Sequence, residues 1–172
     1  MRGMSDTSGD VGWSRIRLHD GWPEPLPGLA VRASESSIVL GLSMTPRVID
    51  SWLSSGGVSV SRVGPDLTEP ASRRVVPDDA LTDPDAFREW VFQFVGPTGR
   101  MAVWPDDESW WIVEDADWEV TIACGPPALL DLIGDEDSED EFLSWLGPAD
   151  RLSQVARGEA AQIAAMYGFT DT

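Results

Sequence analysis

The sequence predicts a single-domain α+β protein in which helices pack against a mainly antiparallel sheet. Its 172 residues are a usual length for one domain, and a chain of that length buries roughly 70% of its unfolded surface. Apolar residues make up 42% of the chain and charged residues 24%, which is typical of globular proteins. Between residues 100 and 124, three apolar runs separated by acidic turns indicate an antiparallel meander. Apolar residues at helical spacing before and after it supply the α component.

The N-terminal part is predicted to alternate between irregular and regular segments. Residues 1–12 are small and polar, so we expect a flexible tail, and residues 13–133 are expected to form the α+β core. Alternate prolines in residues 22–28 favour an extended connector. The branched apolar run at 36–42 predicts a strand. A helix is expected in 45–55, because Thr-Pro is a helix start signal and Gly-Gly a stop.

The middle of the chain continues this alternation. Val and Ser alternate in residues 58–63, which predicts a strand. Prolines and charged residues in 64–82 indicate a long surface loop or a joint between subdomains. A helix is expected from Asp83 to Gly96, because Asp followed by Pro is a start signal and Gly-Pro ends it. Its predicted apolar face consists of Phe87, Trp90, Val91 and Phe94.

The meander is the best-defined element of the sequence. Its predicted strands are residues 101–104, 110–113 and 118–124, and acidic turns are expected at 105–108 and 114–117. In the third strand, apolar and polar residues alternate, which predicts one buried and one wetter face.

The last part of the chain, residues 134–172, is expected to be an acidic loop followed by helices packed on the core. A short helix is predicted at 128–133 and another at 142–146. A longer amphipathic helix is predicted at 152–167, with Gly158 as a candidate break.

Negative charge is concentrated in the second half of the chain. The formal net charge is −18. Residues 1–74 contain eight arginines and eight acids, whereas residues 75–172 contain four arginines and twenty-two acids. Negative charge that is concentrated in one half of the chain can attract a basic partner. Acidity also keeps proteins in solution without any binding role. The acids disfavour direct binding to nucleic acid and to anionic membranes.

Few side chains are suited to metal or covalent chemistry. His19 and Cys124 are the single histidine and cysteine, too few for a zinc site, and no cofactor is expected. Cys124 lies on the apolar side of a predicted strand, so we expect a buried structural thiol. One cysteine, no signal-peptide core and no apolar span favour a cytoplasmic protein. The common phosphate, dinucleotide, hydrolase and metalloprotease motifs are absent, so binding is favoured over catalysis.

Tryptophans and acids in the meander form a candidate partner-binding surface. Trp110 and Trp111 are adjacent on a strand, so their side chains point to opposite faces and at most one enters the same core. The other is exposed, covered by a helix, or part of a binding surface. Aromatic rings among carboxylates suit a cationic partner. With the acidic run at 135–141, the predicted partner-binding residues are Asp106, Asp107, Glu108, Trp110, Trp111, Glu114, Asp115, Asp117, Asp135, Glu136, Asp137, Glu139, Asp140 and Glu141.

These features predict an acidic binding protein that sequesters or inhibits a basic protein, such as an immunity protein that neutralises a toxin nuclease. Two alternatives stay open. Acids at 106–117 could form a catalytic pair or a magnesium site in a small-molecule-binding or enzymatic domain. The C-terminal helices could instead dock on a larger assembly as a structural or adaptor subunit. The sequence leaves the partner, the strand order and the oligomeric state open.

Overall fold

The computed structural model of the chain describes residues 15–35, 57–64, 74–81, 84–93, 99–115, 118, 120–131 and 154–169. Its strands are β1 (Leu18–His19), β2 (Trp22–Pro23), β3 (Ala30–Glu35), β4 (Val58–Val63), β5 (Arg74–Val75), β6 (Arg100–Pro105), β7 (Trp111–Asp115) and β8 (Val120–Gly125). Its helices are a 3-10 helix (Asp78–Leu81), α1 (Pro84–Phe92), α2 (Pro127–Leu130) and α3 (Gln154–Tyr167).

A six-stranded antiparallel sheet organises the described part of the chain. Its strand order is β3-β8-β7-β6-β4-β5, and β1 pairs with β2 in a separate hairpin. The predicted meander is confirmed as β6, β7 and β8, which are neighbours in the sheet. Together with the helices, this sheet is the predicted α+β architecture.

The two ends of the sheet are used below as landmarks. At one end, which we call the Pro105 end, Pro105 of β6 lies opposite Val58 of β4. At the other end, which we call the Arg100 end, Arg100 lies opposite Val63 and also opposite Asp115 of β7.

One face of the sheet, which we call the first face, carries an apolar core closed by the 3-10 helix, α1 and α2. The sheet contributes Val58, Val60, Met101, Val103, Trp110, Ile112 and Ala123. Phe87 and Val91 of α1 bury the face that the sequence predicts, and Leu129 and Leu130 of α2 complete the layer. Pro84 begins α1, a position at which a missing backbone N–H costs nothing.

The opposite face, which we call the second face, is covered by residues 15–29, which we call the strap, and by α3. The sheet contributes Ala33, Ala102, Trp104, Trp111, Val113, Val120, Ile122 and Cys124. The covering layer contributes Ile16, Trp22, Leu26, Ala160, Ile163, Ala164, Tyr167 and Phe169. Helix α3 runs through Gly158 without a break, because its apolar stripe is buried against the sheet.

Glycines with positive φ shape the second face at two turns. In the strap, Asp20 and Gly21 have φ of 50° and 78° and connect β1 to β2, which is the conformation of a type I′ hairpin turn. A Cβ on Gly21 would overlap the backbone of Gly64. At the end of α3, Gly168 has φ of 78° and Phe169 N–H donates to the Ala164 carbonyl at 2.8 Å. This is a Schellman C-cap.

Three predictions about the fold are corrected. Residues 74–81 are not surface loop: they contain β5 and the 3-10 helix, and Val76, Ala80 and Leu81 are buried. β7 continues to Asp115, where an acidic turn is predicted, because Asp115 pairs with Arg100 on β6. The connector at 22–28 is not extended throughout, since Leu29 N–H donates to the Leu26 carbonyl at 3.1 Å and closes a turn.

Several predicted elements lie outside the described residues. These are the tail at 1–12, the strand at 36–42, the helix at 45–55, the short helix at 142–146 and the acidic run at 135–141. The described strand β3 precedes the predicted strand at 36–42 and is not anticipated from the sequence.

Candidate functional site

Asp106 and Asp107 lie on the turn between β6 and β7, at the Pro105 end of the sheet, and both are exposed. The backbone N–H of Asp106 donates to the Gly57 carbonyl at 2.9 Å. Asp107 Oδ1 accepts a hydrogen bond from Ser109 N–H at 3.0 Å. The turn is therefore fixed by hydrogen bonds although both residues are exposed, and their role in partner binding stays a prediction.

Glu108, on the same turn, is used inside the protein. It is 8% exposed and adopts a positive φ of 51°. Its Oε2 accepts a hydrogen bond from the backbone N–H of Arg15 at 2.6 Å. The carboxylate therefore fixes the start of the strap to the Pro105 end of the sheet, and little of it is left for a partner.

Trp110 and Trp111 point to opposite faces, as predicted, and both are buried. Trp110 is 3% exposed in the core of the first face, with Leu129 of α2. Trp111 is not exposed, and its Nε1 donates to the Glu24 carbonyl of the strap at 3.1 Å. Neither indole is exposed, because each face of the sheet is covered, so of the alternatives left open by the sequence the covered position describes both residues.

Glu114 and Asp115 close β7 at the Arg100 end, and they are also buried, at 5% and 3% exposure. Adjacent strand residues alternate in direction, so Glu114 belongs to the first face and Asp115 to the second. A residue that contacts a partner is expected on the protein surface, and neither Glu114 nor Asp115 lies there. Asp117 and the acidic run at 135–141 lie outside the described residues, so their predicted role is untested.

The second face contains a buried ionic cluster centred on Arg100, which we call the Arg100 cluster. Arg100 Nε lies 2.9 Å from Asp115 Oδ2, with side-chain exposures of 8% and 5%. Arg100 Nη2 lies 3.7 Å from Glu159 Oε1 of α3. Arg100 Nη1 also donates to the carbonyl of Gly21 at 3.2 Å. One guanidinium therefore joins the sheet, α3 and the strap.

Two indoles complete the Arg100 cluster. The guanidinium carbon lies 3.7 Å from the ring centre of Trp22 and 5.9 Å from that of Trp118, within the range of cation–π attraction. Trp22 Nε1 donates to Glu159 Oε1 at 3.4 Å, and the backbone N–H of Trp118 donates to Asp115 Oδ1 at 2.9 Å. Both carboxylates that face Arg100 are thus held by a tryptophan as well.

This arrangement suits structural pairing better than catalysis. An arginine guanidinium stays protonated at any pH that the fold experiences, so it cannot exchange protons as a general acid or base. Its donors are engaged by Asp115, Glu159 and backbone carbonyls. Sequence reasoning missed this cluster. An arginine that begins the first strand of a β-hairpin and an acid that ends the second strand face each other across the open end of the hairpin, which is a recognisable cross-strand pair.

Cys124 and Tyr167 are the other reactive groups on the second face, and both are buried. Burial raises the pKa of the Cys124 thiol, although a hydrogen bond from Leu26 N–H at 3.3 Å acts in the opposite direction. Burial raises the pKa of Tyr167 well above its ordinary value, and the charge of Arg100 opposes this. Because the thiol stays protonated near neutral pH, the prediction of a structural rather than nucleophilic cysteine is supported.

The described ranges contain neither a metal-binding cluster nor a membrane-spanning helix. Within them, no three His, Cys, Asp or Glu side chains come together as a set that could hold a metal ion. None of the helices described there has the length and apolar character needed to cross a lipid bilayer.

Comparisons with protein-family models, with curated proteins and with solved structures found no match for this chain.

Proposed function

We propose that this protein binds a basic protein partner and sequesters or inhibits it, as an immunity protein neutralises a toxin such as a nuclease. The observation that carries the proposal is the excess of twenty-two acids over four arginines in residues 75–172. Such a field accelerates association with a cation and suppresses association with other acidic proteins. The same field opposes direct binding to phosphate backbones.

The described surface supports an electrostatic mode of binding. Among the described residues, one large apolar side chain is exposed, that of Val75, at 58%. A partner therefore finds few apolar side chains there to bury. The attraction for a basic partner would therefore come mainly from the negative charge of the carboxylates.

Four of the exposed acids lie at the Pro105 end of the sheet. Asp106 and Asp107 lie on the β6–β7 turn at that end. The 3-10 helix follows β5 at the same end, because Val76 N–H donates to the Val58 carbonyl at 2.8 Å. Its first residues, Asp78 and Asp79, are exposed. These four carboxylates support the Pro105 end as one part of the contact surface, with the run at 135–141 as the other.

The proposed location is the cytoplasm. Cys124 is the only cysteine of the chain, and it is buried and reduced. A protein without disulfides is typical of a reducing compartment. An inhibitor in that location would protect the cell that makes it.

The test uses the full chain as bait at about 50 mM and about 200 mM salt, since exposed charge attraction is increasingly screened over this range. A specific basic protein should be retained at the lower salt and weakened at the higher. Two charge variants are then compared with the parent by association kinetics. One neutralises Asp78, Asp79, Asp106 and Asp107 to asparagine, and the other neutralises the six acids of 135–141.

The expected result is a slower association rate for each variant, by about tenfold or more. The matched control neutralises Glu24 and Glu89, which are exposed elsewhere, and it should leave the rate near that of the parent. Retention of no basic protein, or of one that responds neither to salt nor to neutralisation, would contradict the proposal.

A further inference from the structure

The strap is held by the rest of the described chain, which we call the body, through backbone hydrogen bonds as well as buried side chains. Six of its backbone groups form hydrogen bonds with side chains of the body. Arg15 N–H donates to Glu108 and Leu26 N–H to Cys124, while the carbonyls of Asp20 and Gly21 accept from Arg100, that of Pro23 from Tyr167 and that of Glu24 from Trp111. Peptide-recognition domains also use the main-chain groups of their ligands.

The body closes its own sheet without the strap. β1 and β2 pair with each other, and the six strands of the main sheet pair among themselves. The first face is closed by helices that do not include the strap. The strap is therefore an added layer on the second face, not a strand of the sheet.

One side chain of the strap serves as a deep anchor. Trp22 is fully buried, its ring lies 3.7 Å from the Arg100 guanidinium carbon, and its Nε1 donates to Glu159 at 3.4 Å. Ile16 and Leu26 are buried beside it, whereas Arg17 and Glu24 are exposed. A single buried aromatic anchor combined with main-chain contacts is the usual energetic pattern of peptide recognition.

We propose that the second face of the body is a groove for a peptide segment that folds as a hairpin, and that the strap fills it as an exchangeable ligand carried in the same chain. The groove fits a segment with an indole that stacks on Arg100 and donates to Glu159. It also fits a proline after that indole, because the Pro23 carbonyl accepts from Tyr167 at 2.9 Å and proline leaves no N–H to satisfy. The covalent link gives the strap a high effective concentration, which keeps the groove filled.

The occupant that the structure shows is residues 15–29, so the test supplies this segment from outside. A protease recognition sequence is inserted between Pro27 and Gly28, which are both exposed, and the full chain is then cleaved. Exchange is measured by the fluorescence anisotropy of a fluorescein-labelled synthetic peptide of residues 13–27. The uncleaved protein is the control, in which the tethered strap should block uptake.

The cleaved protein is expected to keep the circular dichroism of its sheet and to take up the labelled peptide. Unlabelled peptide with Trp22→Ala should compete about tenfold less well than the parent peptide. Peptide with Arg17→Ala, which changes an exposed side chain, should compete like the parent. Loss of the sheet signal on cleavage, absence of uptake, or equal competition by the Trp22→Ala peptide would each overturn the proposal.

A second measurement uses the intact, unmodified chain. Native-state hydrogen exchange should release the strap amides of Glu24 and Leu26 at least about tenfold faster than the amides of β7, because the strap opens without the sheet. Equal opening free energies for strap and sheet would overturn the proposal, whatever the behaviour of the cleaved protein.

Discussion

The two faces of the sheet are closed by different means. The first face is covered by the 3-10 helix, α1 and α2, all between residues 78 and 130, and its contacts are mainly apolar. The second face is covered by the strap and α3, which are more than a hundred residues apart, and hydrogen bonds and the Arg100 cluster connect them. Short local connections close the first face, whereas specific polar pairs determine how the second face is closed.

The difference indicates where the protein tolerates change. Apolar packing accepts substitutions that conserve volume. A buried charge with fixed partners does not, because removing one partner leaves the other charge uncompensated. The following predictions test this contrast.

The largest effect is expected for Asp115→Ala on the second face. Without its carboxylate, the buried Arg100 loses its closest counter-charge, which should lower the free energy of unfolding by about 3–5 kcal/mol. Urea denaturation measures this change. The double substitution Arg100→Met with Asp115→Leu should recover most of the loss, because both charges of the buried pair are removed and Glu159, whose side chain is 33% exposed, keeps contact with solvent.

The control for this prediction is Asp131→Ala. Asp131 pairs with Arg32 at 3.4 Å, but its side chain is 69% exposed. An exposed ion pair contributes about 0–1 kcal/mol. If the two substitutions cost the same, burial of the Arg100 cluster does not determine the stability of the second face.

A smaller effect is expected for Tyr167→Phe. This change removes the hydroxyl that donates to the Pro23 carbonyl at 2.9 Å and leaves a buried acceptor unsatisfied, at a cost of about 1–3 kcal/mol. Hydrogen exchange should show faster opening of the strap and unchanged protection of β6. Uniform loss of protection throughout the sheet would mean that the hydroxyl stabilises the whole fold.

Alkaline pH should weaken the second face before the first. Burial raises the folded-state pKa of Cys124 above 9.0 and that of Tyr167 well above 10.0, so the unfolded chain loses these protons first. Stability is therefore full below about pH 9 and falls as the pH rises towards the folded-state values, by at most about 1.4 kcal/mol per pH unit and group.

Urea denaturation at several pH values between 8 and 10.5 measures this slope. Cys124→Ala and Tyr167→Phe should each reduce it. Ile112→Val, on the first face, is the matched control and should leave it unchanged. If neither second-face variant alters the slope, other groups cause the loss of stability at alkaline pH.

The smallest effect is expected for Leu129→Met on the first face. Leu129 is 2% exposed in the apolar core, and a swap that conserves volume costs below about 1.5 kcal/mol. Thermal denaturation monitored by circular dichroism measures it. A loss as large as that of Asp115→Ala would show that the first face is as specific as the second.

Local patterns in the sequence explain which parts of the fold could be predicted. The meander and α1 follow from alternation, turns and a start signal within short windows. β3 is not predicted, because its apolar residues are one valine, Val31, and two small alanines, Ala30 and Ala33. The β1–β2 hairpin was missed although Asp20-Gly21 is a strong turn signal.

The candidate site was harder to predict than the fold. An acid that follows an apolar run looks like a turn residue, and this is how Glu114 and Asp115 were interpreted. Their burial depends on the strand register and, for Asp115, on Arg100, which becomes its neighbour only when β6 and β7 pair. The burial of both Trp110 and Trp111 likewise depends on two covering layers that come from distant parts of the chain.

The distance between strap and α3 along the chain also affects synthesis on the ribosome. Tyr167, which holds the Pro23 carbonyl, is made 144 residues later. The meander and its helices can assemble as they emerge, but Trp22 must wait for Glu159 before its pocket is complete. Newly made protein therefore passes through a stage with one apolar surface still open, and this stage lasts at least until α3 has been made.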